Sequence, residues 1–370
     1  GKTFAVAGAC LLVGIGASGA GLLLAPGATW GALLANFLFW TGLAQGGIAV
    51  AAAILLTRAR WGRTVQRMAL SLGAFLPLSL PLLAMLWLGR GFLYPEVAAA
   101  PRFLRNGLLL VVMIGVSLAF MARSLGPEPA PPADGSRDRV LLRRLAAGTT
   151  FGFFLSQAFL ALDLILGMQP QFRSSILPIV YLAGSFYTAL AATAILAALW
   201  RRQPEAAPLL PPRYLRDLGN LVWGFGLFLA YLWWCQYLAL WMVNEPAEAA
   251  HLIQRWRSLP WAAPAWTALA FAVFVPGLLL LGPAVKRRAG VLAAASGFGA
   301  AGILLQRLVD VLPAVRADWS PLAGLLTLGV TLGFGGATAL CTLWLAARVP
   351  PFPVQDAKLA EALAVREVEV

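Results

Sequence analysis

The strongest constraint on this chain is a series of ten long apolar stretches, near 4–25, 32–56, 68–89, 107–123, 145–168, 175–200, 217–243, 261–283, 290–313 and 321–347. A bilayer core about 30 Å thick takes roughly 20 helical residues to cross. Inside it backbone amides must be satisfied within the protein, so each stretch is expected to be a helix. The fold class that follows is an all-α integral membrane protein with ten transmembrane helices. Composition agrees: 60% of residues are hydrophobic and 12% charged, whereas soluble domains are about a quarter charged. A soluble enzyme, a disordered chain and a disulfide-stapled secreted domain are excluded. Pro77, Pro81, Pro178 and Pro276 fall inside the spans, where neighbouring helices can satisfy the carbonyls they free. The first stretch is glycine-rich and closely followed by the second, which reads as a span rather than a cleaved signal.

Basic residues set the orientation. Of the 28 Lys and Arg, twenty flank the side that carries both termini and seven the other, with Arg307 inside a span. The positive-inside rule then puts both termini in the cytoplasm. The net charge of +13 sits in short clusters at span ends, which suits anionic lipid headgroups rather than nucleic acid. The connections at 124–140 and 201–216 are short, basic and proline-rich, and the 350–370 tail has room for one charged helix. Residues 1–370 therefore read as one polytopic membrane domain.

Ligand chemistry is limited. The one histidine, His251, cannot provide bis-histidine haem ligation, and Cys10, Cys235 and Cys341 are far apart in apolar runs. Iron–sulfur clusters need about four thiolates and zinc about four ligands, so no tightly ligated redox metal is expected, nor any Ser/His/Asp or Cys/His catalytic set. Gly14–Gly21 and Gly333-Phe334-Gly335-Gly336 lie inside spans, where glycines favour close helix packing over phosphate binding.

An internal repeat organises the spans. Phe37-Leu38-Phe39-Trp40-Thr41-Gly42 of the second span aligns without gaps with Ile179-Val180-Tyr181-Leu182-Ala183-Gly184 of the sixth, and the runs end at Arg58–Arg60 and Arg201–Arg202. The fifth and ninth spans carry Asp163 and Asp310 near the same end. Helices 2–5 (32–168) and 6–9 (175–313) are thus expected as two four-helix bundles of one orientation. The first helix (4–25) and the tenth (321–347) would be peripheral. Parallel repeats of this kind can build a site near the bilayer midplane.

Charges inside a bilayer are expensive, so the few present need partners. Arg307 and Asp310 are three apart on one helical face and can pair. Asp163 follows Ser156 and Thr149 at seven-residue steps, a polar stripe on one face of helix 5. Gln306, Tyr181, Tyr231 and Gln236 add hydrogen-bonding capacity at plausible depths. Two readings stand: a structural ion-pair cluster near the interface, or a proton path or the polar end of a quinone pocket, since relay needs an ionisable group and small rotatable donors. Between spans 7 and 8, Asn244 is a candidate N-cap, with Pro246 early and Glu245 and Glu248 in the first turn. Ala249, Leu252, Ile253 and Trp256 follow a helical rhythm while His251, Arg255 and Arg257 face elsewhere. This predicts an amphipathic interfacial helix, serving as an anchor or as a lid or partner dock.

Two segments go beyond pattern. Ala161-Leu162-Asp163-Leu164-Ile165-Leu166-Gly167-Met168-Gln169-Pro170-Gln171-Phe172-Arg173-Ser174-Ser175, then Tyr181-Leu182-Ala183-Gly184-Ser185-Phe186, resembles a signature of the NrfD-like F subunit (ActF) of alternative complex III, a quinol:cytochrome c oxidoreductase. That signature reads F-D-W-x-M-S-L-x-P-x-W-x-S-T, then Y-x-F-A-G-S-F. Tyr231-Leu232-Trp233-Trp234-Cys235-Gln236-Tyr237 through Trp241, Asn244 and Pro246 is similar to the family's Y-L-W-F-S-Q-F…W…N-x-P-E-E. The ten-span layout fits, with specificity concentrated at 151–260. Leu164 departs from the family's tryptophan, and Arg307 stands where a histidine often precedes the helix-9 aspartate. An arginine does not release its proton at ordinary pH, which puts a histidine-based step in doubt.

The resemblance implies an NrfD-like fold in a bacterial inner membrane. It implies a complex with a second NrfD-like subunit, an iron–sulfur subunit related to molybdopterin oxidoreductases, and multihaem and monohaem c-type cytochromes. Haem c and iron–sulfur clusters would sit in those partners, with quinone or quinol a possible ligand here. Quinol oxidation is assigned to the sister subunit, and the F subunit to proton conduction and scaffolding. The rival readings are the quinone-binding anchor of another molybdopterin-type oxidoreductase, a stand-alone proton-coupled transporter, and a passive scaffold.

Overall fold

The structure is a computed structural model that describes residues 2–59, 62–95, 98–126, 137–315, 320–349 and 352. The charged helix expected in the 350–370 tail, and most of the proline-rich loop at 124–140, lie outside the described residues. Those residues form helices and no strands. Ten are long and apolar enough to cross a membrane: α1 (Lys2–Leu24), α2 (Pro26–Leu56), α3 (Arg63–Leu88), α4 (Ala100–Leu125), α5 (Arg137–Met168), α6 (Leu177–Trp200), α7 (Pro212–Val243), α9 (Ala262–Leu279), α10 (Ala289–Val315) and α11 (Pro321–Arg348). The short helix α8 (Pro246–Trp256) lies between α7 and α9.

Two helices form the centre. α2 and α6 are apolar on all sides and buried over most of their length, as expected of helices surrounded by other helices. They pack on one another, and each also touches both α5 and α10. α3 packs on α2, α4 on α3 and α5, α7 on α6, and α9 on α7 and α10. α1 lies outside this set, mainly along α11. Glycine allows that contact: a Cβ on Gly14 would sit 2.1 Å from the Cα of Gly333. The rest of α1 presents Leu12, Val13 and Ile15 outward.

Prolines are absorbed by local changes of helical pitch. α3 tightens to a 3-10 turn over Gly73–Leu78 around Pro77, and Pro178 sits at the first turn of α6 where its missing N–H costs nothing. In α9 a π-helical turn, Ala270–Phe274, precedes Pro276. Pro276 cannot donate to the Ala272 carbonyl four residues back, and the Tyr187 hydroxyl donates to it instead at 3.0 Å. α5 has a second π-helical turn, Ala161–Ile165, with Asp163 at its centre. Such turns concentrate at functional sites.

Two expectations about the 244–257 loop are corrected. Asn244 is not an N-cap; it ends α7 in the left-handed region (φ 51°), its N–H donating to Leu240 O, and Glu245 precedes the first turn of α8. Pro246 disfavours helix in the residue before it, and asparagine tolerates the left-handed conformation. The inward face of α8 is also the polar one. Arg255 is buried and His251 half-buried, while Ile253 points outward. The cause is the end of α10, whose last carbonyls lack helical partners: Arg255 donates to Val309 O and Asp310 O at 3.1 Å, and Gln254 to Pro313 O at 3.2 Å.

Candidate functional site

Asp163 is 3% exposed and held by α4. Arg105 Nε donates to Asp163 Oδ2 at 2.9 Å, its Nη2 donates to Oδ1, and Asn106 Nδ2 donates to Oδ2 at 2.7 Å. Arg105 lies over the Phe159 ring and keeps half of its side chain exposed, so the pair reaches from the interior to the surface. Sequence reasoning missed Arg105 and Asn106 because hydropathy started α4 at 107, whereas the helix begins at Ala100. The available signal was the spacing of Arg102, Arg105 and Asn106 on one helical face. Tyr94 closes this end. Its hydroxyl donates to Leu164 O at 3.0 Å, and burial pushes its pKa well above the ordinary phenol value.

Ser156 and Thr149 are buried on the same helix, 1% and 0% exposed, but they do not bond to Asp163. Ser156 Oγ accepts from Gln45 Nε2 at 3.0 Å, and Thr149 Oγ1 has no hydrogen-bond partner in the protein. The stripe is therefore real in position while its bonds run sideways to α2.

The second acidic cluster brings together Tyr181, Arg307 and Asp310. Arg307 is 1% exposed. Its guanidinium lies over the Tyr181 ring, 3.9 Å from the centroid, an attractive placement for a cation. Nη2 donates to Tyr181 O at 2.9 Å, and Nη1 is 3.8 Å from Asp310 Oδ2, an ion pair without a direct hydrogen bond. Arg307 Nε and Nη1, Asp310 Oδ2 and Gln306 Oε1 are buried without hydrogen-bond partners in the protein. The Tyr181 hydroxyl donates across to Leu38 O on α2 at 2.9 Å.

α8 covers this cluster. His251 Nδ1 pairs with Gln169 Oε1, its ring stacks on Phe172 at 3.7 Å, and Gln169 Nε2 reaches Asp310 O at 3.4 Å. Burial and the neighbouring Arg255 pull the His251 imidazole down to about 2, so it is neutral at ordinary pH. Burial draws Arg255 down to about 10, with Asp310 opposing, which leaves it charged. The connection after Asp163 thus touches both clusters.

The remaining predicted residues stand apart. Tyr231 is 61% exposed on the outer face of α7 and joins neither cluster, a correction that follows from α7 packing inward through Val222, Gly226 and Leu229. Gln236 accepts from Ser174 Oγ, which caps the start of α6, and so anchors a loop. Trp256 meets Trp266 edge to face at 5.1 Å. Among the described residues no group of three or more His, Cys, Asp or Glu comes together to hold a metal ion. The geometry offers two shielded carboxylates, each with an arginine. Compared with known proteins, the chain matches no family model and no curated sequence.

Proposed function

We propose that the protein is an NrfD-like membrane subunit of a quinol:cytochrome c oxidoreductase of alternative-complex-III type, or of a related enzyme with another periplasmic acceptor. It would contribute proton conduction, part of the quinol-binding environment and assembly, without a redox metal of its own. The observation that carries this reading is Asp163: a carboxylate 3% exposed, at a π-helical turn of a bilayer-length helix, linked to the surface through Arg105. Ionisable groups within membrane spans mark ion or proton routes by default. Helix contacts support two bundles, α2–α5 and α6, α7, α9 and α10, because neighbours close on each other within each set and α2 and α6 occupy matching places. Basic loop residues favour cytoplasmic termini in a bacterial inner membrane. Its partners would be the sister NrfD-like subunit, the iron–sulfur subunit and the c-type cytochromes.

The test is Asp163→Asn in the assembled complex. Quinol turnover or its coupled proton movement should fall at least about tenfold, with subunit composition unchanged. Full activity and coupling in an intact complex would reject the role.

A second reading, the quinone-binding anchor of another molybdopterin-type oxidoreductase, is favoured by one feature. An open groove of about 440 Å³ is lined by Trp87, Arg90, Tyr94 and Pro95 together with Ala98, Ala99 and Ala100. Aromatic faces with an arginine suit a flat, polar-edged head group, and Tyr94 links the groove to the residue after Asp163.

A further inference from the structure

A set of polar side chains in the middle of the protein is left unexplained by the two acidic clusters. Gln45 on α2 and Gln157 on α5 are 0% exposed. Gln157 Nε2 donates to Gln45 Oε1 at 2.6 Å, and Gln45 Nε2 to Ser156 Oγ at 3.0 Å. The chain of bonds is left open at its end: Gln157 Oε1, and Thr41 Oγ1 one turn away on α2, are buried without a hydrogen-bond partner in the protein. Bare polar oxygens at such depth are costly, and natural interiors satisfy them with protein groups or ordered water.

α6 supplies the third wall. A Cβ on Gly42 would lie 2.5 Å from Ser185 Oγ and 3.3 Å from Gln157 Oε1. The two oxygens therefore converge between α2, α5 and α6, less than about 6 Å apart, a span that one water bridges with two bonds of ordinary length. Ser185 Oγ donates its own proton to Tyr181 O at 3.0 Å, so toward any further group it, like Gln157 Oε1, is an acceptor. The group that satisfies them must donate twice, which selects water and excludes an anion. The same Tyr181 carbonyl accepts from Arg307 Nη2. Polar contacts thus run from Asp310 and Arg307 to Tyr181 O and Ser185, and from Gln157 through Gln45 to Ser156, with no direct bond between the two sets.

The second half of the chain has no counterpart. At the positions equivalent to Ser156 and Gln157, counted back from the aspartate, α10 carries Ile303 and Leu304. Tyr187, which aligns with Gln45 in the repeat, has its hydroxyl committed to Ala272 O. We propose that Gln45, Gln157, Thr41 and Ser185 bind a buried water cluster that joins the Arg307–Asp310 pair to the α5 stripe, so the two halves share one polar route rather than running two in parallel. Its purpose rests on the proton-conduction reading; its occupancy does not. Gln45 and Gln157 would be positioning residues that orient water.

The experiment is a density map of the native complex at a resolution that shows ordered water, with Gln157→Leu and the milder Thr41→Val as variants. Density within hydrogen-bond distance of both Gln157 Oε1 and Ser185 Oγ is expected, lost in Gln157→Leu and reduced in Thr41→Val. Proton movement should fall about tenfold in Gln157→Leu and by less in Thr41→Val. A dry interface in the wild type, or density that appears only with added sodium, overturns the proposal. If water is present while Asp163→Asn leaves proton movement intact, the functional reading fails and the water site stands.

Discussion

Arg105 and Asp163 should respond unequally to removal of one partner. In Arg105→Met the carboxylate stays buried, 3% exposed, with only the Asn106 bond at 2.7 Å left to it. Stranding one charge of a buried pair costs about 3–5 kcal/mol in soluble proteins. Polar contacts measured in bilayers are weaker, at most about 1.7 kcal/mol each, and Arg105 is half exposed, so about 2–4 kcal/mol is expected. In Asp163→Asn the guanidinium already has a path to water, and the amide oxygen still accepts. The loss there should be about 1 kcal/mol. The double variant Arg105→Met, Asp163→Asn leaves no buried charge and should be more stable than Arg105→Met alone. Steric-trap unfolding in lipid nanodiscs measures all three on one scale. If Arg105→Met is no worse than Asp163→Asn, or the double variant is worse than Arg105→Met, then Arg105 does not hold a buried carboxylate and the argument fails.

Tyr187→Phe bares the Ala272 carbonyl and should cost about 1 kcal/mol; adding Pro276→Ala restores a helical N–H to that carbonyl and should remove most of the cost, read in the same unfolding assay. Gly333→Leu should push α1 off α11, raising amide exchange across residues 2–24 several-fold while the centre of α2 stays protected. His251 gives a pH dependence with a definite sign. Its folded-state value is drawn from 6.5 to about 2, so protonation favours the undocked state; α8 docking is fully stable above about pH 6.5 and weakens by up to about 1.4 kcal/mol per unit below it. Exchange of residues 246–256 should therefore accelerate from pH 7 to pH 5, and His251→Gln should flatten that profile.

Whatever depends on local hydropathy and spacing could be read from the residues in order. Each of the ten spans was legible because a bilayer-crossing helix must be long, apolar and self-bonded, whatever surrounds it. The Arg307–Asp310 pairing was legible because three residues along a helix fix proximity. The close packing at Gly14 and Gly333 was foreshadowed by glycines inside apolar spans, though their partnership was not.

Tertiary structure decided everything that passes between helices. Arg105 reads as a loop charge until Asp163 draws the first turns of α4 into the core. Asn244 reads as a cap until Pro246 forces α7 to end on it. His251 and Arg255 read as facing away from the apolar side of an interfacial helix until the bare carbonyls at the end of α10 attract them. Gln45 and Gln157, 112 positions apart, carry no mutual signal in a linear pattern. Hydrophobic periodicity records which side of a helix is apolar, whereas a buried polar bond requires a donor and an acceptor from different helices to meet within about 3 Å. Only the packing of α2, α5 and α6 brings those groups to one place.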